Sequence, residues 1–172
     1  MAMLTQALFE GLIWSLMWSL YVFLILKLCP WEMLHDYPED IQKASKLPKP
    51  TLKQQKQSKL WSGIGGLIII VSLSYFGLNR YAEERVSLLT LFIYIFIIAM
   101  TWNVFDLIVM DWIIVCTITP EWIIIKGTKG CKGYKDYMFH FKGFLIGCFY
   151  TFIIAVIFSG IDYAILKYIL WK

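Results

Sequence analysis

Four apolar runs within 172 residues constrain this chain more than any other feature. They contain 16, 20, 20 and 19 residues and lie at Gly11–Leu26, Leu60–Asn79, Val86–Phe105 and Gly143–Ile161. Because an α-helix rises about 1.5 Å per residue, about 20 apolar residues cross the hydrocarbon core of a bilayer. The sequence therefore predicts an all-α integral membrane protein with four transmembrane helices.

Composition supports the same fold class and predicts one domain. Hydrophobic residues make up 59% of the chain and charged residues 16%, against roughly 45–50% and about 25% in soluble domains. Little of the chain is left for a separate soluble domain, so we expect residues 1–172 to form a single membrane domain. The spans are expected at about 9–28, 60–79, 86–106 and 143–163, with loops at 29–59 and 107–142.

The lysines predict how the chain is oriented in a cell membrane. Of the 16 basic residues, 12 lie in residues 27–59 and 106–142, which four spans place on the same side. Basic loops favour the cytoplasm, so we expect a multi-pass protein with both termini outside. The expected partner is the bilayer itself, through anionic lipid head groups that contact Lys49, Lys53, Lys56, Lys59, Lys129 and Lys132. A homo-oligomer or a membrane protein partner is also considered, whereas nucleic acid is not expected.

The first basic loop contains the sequence signals of a short helix. Pro38, followed by Glu39 and Asp40, is typical of a helix start, because free N–H groups and the helix dipole favour acids there. We predict an interfacial helix over residues 38–47 that lies on the membrane surface, with Ile41 and Leu47 toward lipid and the charged ends of Lys43 and Lys46 extending to the interface. Residues 49–59 are then expected to form an extended basic connector.

The second basic loop leaves two structures open. Two β-branched runs flank Pro120 between Trp112 and Gly127, and neither is long enough to span a bilayer. This pattern predicts a short β-hairpin at the membrane surface. The alternative is that the third helix continues beyond the bilayer and a short helix starts at Pro120. Glycines interleaved with lysines predict a flexible loop over residues 127–133.

Small residues near two span starts predict close helix packing. Gly143 and Gly147 are spaced by four, and Ser62, Gly65 and Gly66 leave the start of the second span with little side chain. Small residues let helix backbones approach each other in lipid, so we expect helix contacts at both places.

The candidate functional side chains gather at the inner ends of the predicted spans. Carboxylates at the hydrocarbon edge are costly and mark functional sites, although each of these groups also has an ordinary interfacial explanation. At 100° per residue, Asp111 is rotated about 140° from Asp106 on a continuous α-helix. The candidate catalytic residues are Asp106, Asp111, His140 and His35, with Asn103 and Asp36 as the polar lining of a cavity.

Three functional hypotheses follow, and the sequence favours the first because no complete catalytic motif occurs. The first is a non-enzymatic accessory or sensing subunit that oligomerises or docks a partner through its basic loops. The second is an interfacial enzyme acting on a lipid or isoprenoid head group, and the third is a transporter or channel subunit. No metal or other cofactor is predicted, since the four cysteines lack metal-ligand spacing and the histidines lack i, i+4 spacing.

Overall fold

The computed structural model describes residues 2–172, which form helices and no strand. In chain order they are α1 (Ala2–Leu28), α2 (Pro30–Met33), α3 (Glu39–Ala44), α4 (Leu52–Tyr81), α5 (Leu88–Ile118) and α6 (Tyr137–Leu170). Single 3₁₀ turns occur at Leu34–Asp36, Glu121–Ile123 and Lys132–Lys135. Helices α1, α4, α5 and α6 are each long and apolar enough to cross a membrane, which confirms the prediction of four such helices.

The two ends of the bundle differ. The segments on either side of α3 and those between α5 and α6 lie together at one end, called here the loop end. The backbone N–H of Lys46 donates to the carbonyl of Lys126 there, at 2.8 Å. The short connection between α4 and α5 lies at the opposite end, called here the turn end. Both lysine-rich loops therefore share one end of the bundle.

Helix α5 is the central element, because α1 and α6 both pack along it. Helix α4 packs on α1, where Trp14 Nε1 donates to the carbonyl of Ile69 at 2.9 Å and Tyr21 donates to the carbonyl of Ser62 at 2.5 Å. Towards the turn end α4 also contacts α5 and α6. The main apolar core lies in that half, around the fully buried side chains of Leu73, Leu91, Tyr94, Ile95 and Ile98.

Glycines make two of the helix contacts possible, partly as predicted. A Cβ on Gly147 would collide with the Asn103 amide of α5, and a Cβ on Gly65 would lie 2.7 Å from the Tyr21 ring of α1. Gly143 is different, since no atom lies within 4 Å of the position of its Cβ. The small-residue spacing therefore marks one contact at Gly147, and Gly143 is open.

Helix α4 begins earlier than predicted, and the extended connector over residues 49–59 is wrong from Leu52 onward. Thr51 and Gln54 form a capping box, in which the Gln54 N–H donates to Thr51 Oγ1 at 3.3 Å and the Thr51 N–H donates to Gln54 Oε1 at 2.9 Å. These bonds satisfy free donors at the helix start, so the helix includes the polar lysine-rich segment.

Helix α5 continues to Ile118, so the β-hairpin is not formed and the helical alternative describes this segment. The helix is α-helical over Leu88–Phe105 and takes wider π-helical turns over Asp106–Ile118. Its end is held by Lys135, whose Nζ donates to the carbonyl of Cys116 at 2.6 Å and to Thr119 Oγ1 at 2.7 Å. A lysine that satisfies the last carbonyls stabilises a helix over a strand.

A second core occupies the loop end, and it corrects the predicted interfacial helix. Helix α3 ends at Ala44, and Ile41 is fully buried against Tyr37, Val115, Ile123, Ile125 and Tyr134 rather than turned to lipid. The glycine loop is likewise structured. Gly127 and Gly130 adopt φ of 90° and 91°, which glycine favours, and the Gly133 N–H donates to Asp40 Oδ2 at 2.9 Å.

Replacement of Ile41 by Ala is expected to lower the free energy of unfolding by about 2–5 kcal/mol, because it leaves a cavity in the loop-end core. Leu52→Ala is the matched control: Leu52 is 78% exposed, and we expect a change within about 0.5 kcal/mol. Denaturation in mild detergent, followed by near-UV circular dichroism, measures both. If the two substitutions changed the free energy of unfolding by the same small amount, the buried position of Ile41 would be contradicted.

Candidate functional site

A cavity of about 670 Å³ lies between α1, α5 and α6 toward the loop end. Segment Met33–Tyr37 and Ile123 cover part of it. All six residues proposed from the sequence line this cavity, so the fold brings them together; their roles are untested by this placement. The polar lining consists of His35, Asp36, Asn103, Asp106, Asp111, His140 and Lys142, and the remaining lining is apolar apart from Tyr37 and two glycines.

The central feature of the cavity is the pair formed by Asp111 and His140. His140 Nδ1 lies 3.0 Å from Asp111 Oδ1, and the histidine side chain is 9% exposed. The other ring nitrogen, Nε2, is buried and has no hydrogen-bond partner among residues 2–172. A carboxylate beside Nδ1 favours the proton on that atom, which leaves the lone pair on Nε2. His140 therefore belongs to the cavity wall, but its Nε2 is covered by surrounding atoms, so a ligand reaches this nitrogen only when the ring or a neighbouring side chain moves.

The π-helical turns of α5 bring Asp111 to this position. On a continuous α-helix Asp111 is rotated well away from Asp106, as the sequence analysis expected. In π-helical turns each N–H bonds five residues back, so residues five apart lie one turn above the other. The Thr119 N–H donates in this manner to the carbonyl of Ile114 at 2.8 Å. Asp106 and Asp111 are five apart, and both line the cavity.

Asp106 and Asn103 play different structural parts. Asn103 is largely buried, and its Nδ2 donates to the carbonyl of Phe144 at 3.3 Å and contacts Cys148 Sγ at 3.3 Å. It thereby fixes α6 against α5 beside Gly147. The half-buried Asp106 carboxylate has no hydrogen-bond or ion-pair partner within residues 2–172. It is available to accept a hydrogen bond from a ligand in the cavity.

His35 and Asp36 form the water-facing edge of the cavity. His35 Nε2 lies 3.1 Å from Asp36 Oδ1, and the two side chains are 77% and 51% exposed. Partial burial raises the pKa of the Asp36 carboxyl above its usual value, nearby His35 opposes this, and the charge of Asp111 adds to the rise. This edge gives the buried pair a route to water.

The charges on the wall constrain the ligand. Three carboxylates face the cavity, whereas Lys142 is its only lysine or arginine within the described range. Where these aspartates are ionised they disfavour further negative charge, since like charges at short distance raise the energy of the site. None of the lysines predicted to contact anionic lipids lines the cavity. The wall favours a polar group that is neutral or cationic.

The lining also restricts the chemistry. It contains no serine, threonine or cysteine among the described residues, and the hydroxyl group of Tyr37 donates to the carbonyl of Ile123 at 3.4 Å. A histidine base can instead activate water or a hydroxyl group of the ligand. The pair of Asp111 and His140 is thus suited to proton transfer.

Sequence reasoning missed two features of the site and a third feature toward the turn end. Lys142 was assigned only to a basic loop, although it follows His140 by two residues. Trp18 and Trp102 were not among the predicted site residues, but both line the cavity and their rings stack at 5.8 Å. Asp162 was taken as the end of a span, yet it is fully buried in α6 beside Gly77 of α4; the apolar residues that continue to Trp171 were the available signal.

Within residues 2–172, no three side chains of histidine, cysteine, aspartate or glutamate are grouped so as to hold a metal ion. Comparison of the chain with protein families, with curated proteins and with solved structures gives no match. The chemistry of the site is therefore argued from its own residues.

Nitrogen NMR of the histidine rings tests the Asp111–His140 geometry directly. The chain has two histidines, so ¹⁵N-histidine labelling gives two ring systems that the His35→Gln variant distinguishes. We expect His140 in the wild type to carry its proton on Nδ1, with Nε2 unprotonated, and Asp111→Asn to remove this preference. A wild-type His140 that is protonated on Nε2 alone would contradict the arrangement.

Proposed function

We propose that this chain is an integral membrane enzyme that acts on the polar head group of an amphipathic lipid by general acid–base catalysis. The observation that carries the proposal is the buried, unpartnered Nε2 of His140, held by Asp111 in a cavity at one end of four apolar helices. A buried polar atom without a partner is costly and calls for an explanation, and a catalytic role or a bound ligand or water is among the usual ones.

The proposed orientation places the cavity at the cytoplasmic membrane boundary. Both lysine-rich loops lie at the loop end, and lysine-rich loops favour the cytoplasm. Both termini are then outside. A head group at that boundary reaches the cavity from the cytoplasmic leaflet, where water is also available through the edge formed by His35 and Asp36.

In the proposed reaction, His140 Nε2 takes a proton from water or from a hydroxyl group as the oxygen attacks the carbonyl of a lipid ester or amide. Asp111 stabilises the imidazolium that forms. The proton then passes from Nε2 to the leaving oxygen or nitrogen, so the histidine returns to its starting state. Asp106 accepts a hydrogen bond from a hydroxyl or amine of the head group and orients it.

This proposal explains the arrangement better than a purely interfacial role for these acids. Solvated interfacial carboxylates point to water or pair with loop lysines, whereas Asp106 and Asp111 face one cavity and Asp111 is beside a buried histidine. The accessory or sensing subunit that the sequence favours stays a prediction, as does contact of the basic loops with anionic lipid. Neither explains why Nε2 is buried without a partner.

Lipid turnover tests the proposed activity. Purified protein in vesicles of cell-derived lipid is expected to change individual lipid species over time, measured by untargeted mass spectrometry. His140→Gln and Asp111→Asn should each slow this change by about 10²–10⁴-fold, the usual contribution of a general base. Glu121→Gln is the control, because Glu121 is exposed and pairs with Lys129 outside the cavity. Absence of any wild-type turnover would contradict the proposal.

Labelling from one side of the membrane tests the proposed orientation. In a chain without native cysteines, Ala82→Cys is expected to react with a membrane-impermeant maleimide added to intact cells. Lys53→Cys should react only after the membrane is opened, because it lies in the lysine-rich start of α4. If position 53 reacted from outside and position 82 did not, the orientation would be the opposite of the one proposed.

A further inference from the structure

Exposed residues line the cavity in two places, and we infer an opening at each. One mouth lies beside the exposed His35 and Asp36 at the loop end. The other lies between α1 and α6, where Ile146 lines the cavity and is nevertheless 59% exposed. Gly143 on the same edge has no atom within 4 Å of its Cβ position. A small polar substrate needs only the first mouth, so the second requires its own explanation.

The second mouth exists because α1 and α6 do not pack closely on each other. Both pack along α5, but within residues 2–172 they make at most marginal contact. Helix α4 does not fill the space, since none of its residues lines the cavity. The gap therefore faces the surroundings of the bundle at the depth of the apolar helices.

The wall behind this gap is apolar and ends in an aromatic pair. Val22 and Phe23 of α1, Leu107 of α5 and Phe144 of α6 line it. Trp18 and Trp102 stack at its deep end with ring planes 21° apart. Hydrocarbon in contact with these side chains is stabilised, whereas a polar group there loses its hydrogen bonds to water. The volume of about 670 Å³ is in the range of ligand-sized pockets.

We propose that a lipid enters the cavity sideways from the bilayer, with its hydrocarbon chain in the gap between α1 and α6 and passing over Gly143. Its head then lies at Asp111 and His140, and the three aspartates of the wall, as hydrogen-bonding groups, favour a head that bears a hydroxyl or an amine. This inference rests on the proposed function for the position of the head, while the path of the chain rests on the gap itself. Gly143 is a specificity determinant because its missing side chain keeps the path open.

A photoreactive lipid tests this path without requiring turnover. The probe is phosphatidylethanolamine with a diazirine on one acyl chain, placed in nanodiscs of phosphatidylcholine. In the wild type we expect cross-links concentrated on Trp18 and Phe144, mapped by mass spectrometry. Gly143→Phe should reduce these cross-links about tenfold or more, which corresponds to about 1.4 kcal/mol of lost binding.

The matched control is Gly160→Phe on the same helix, since Gly160 is also exposed and has no atom within 4 Å of its Cβ position. We expect cavity cross-links to be retained in this variant. Ile146→Trp narrows the same mouth from an already exposed position and should also reduce them, which provides a second variant if Gly143→Phe folds poorly.

The outcomes separate this inference from the proposed function. Cavity cross-links that persist in His140→Gln, which lacks turnover, support the path independently of the chemistry. Two results would overturn sideways entry while leaving the acid–base site in place. One is lipid turnover without cavity cross-links. The other is equal cross-linking in the wild type, in Gly143→Phe and in Ile146→Trp. Cross-links spread evenly over the lipid-facing residues of all four helices would also overturn it.

Discussion

The arrangement of the cavity depends on a change in the backbone of α5. At Asp106 its α-helical turns give way to wider π-helical turns. Wider turns place residues five apart on one face, and they do so where α5 contacts both α1 and α6. Asp106 and Asp111 consequently share a wall that also receives His140 from α6. With regular α-helical turns the two carboxylates are about 140° apart around the helix, so the wider turns bring them closer together on the face that lines the cavity.

The π-helical part is stabilised from the loop end. Lys135 holds the last carbonyls of α5, and Val115 contributes its side chain to the same core as Ile41 and Tyr134. The loop end is thus a small packed unit that fixes the inner half of α5 and covers part of the cavity. Its two lysine-rich segments supply both the proposed membrane orientation and the support for the site.

Much of the fold was accessible from the sequence, because length and hydropathy alone decide which helices are able to cross a bilayer. The grouping of His35, Asp106 and His140 was accessible too, since helices of similar length end in one layer. The hairpin over 112–127 was wrong because β-branched residues favour a strand only locally. Here the bundle and Lys135 stabilise a helix instead. The prediction that Ile41 faces lipid was wrong for a related reason. Residues between 115 and 134 bury Ile41, and the sequence around Ile41 gives no sign of them.

Sequence periodicity misjudged the positions of Asp106 and Asp111 around α5, and the proposed chemistry depends on these positions. A fixed rotation of 100° per residue separates Asp106 from Asp111, and nothing in the local sequence indicates the wider turns. Gly143 is a second position where the sequence pattern misjudged the contact. Its spacing to Gly147 predicted close helix packing, but only Gly147 faces Asn103, and no atom lies within 4 Å of the Cβ position of Gly143.

The most direct test of the account is a cysteine scan of residues 106–113 in a chain without its native cysteines, using a water-soluble thiol reagent. The account predicts that positions 106 and 111 both react, because both face the cavity that opens to water at His35 and Asp36. Ile108 is 44% exposed on the outer surface of the apolar bundle, so position 108 should remain unreactive in a bilayer. Reaction at 106, with 111 as unreactive as 108, would indicate regular α-helical turns and contradict the account, whereas position 110 does not discriminate because Met110 also lines the cavity.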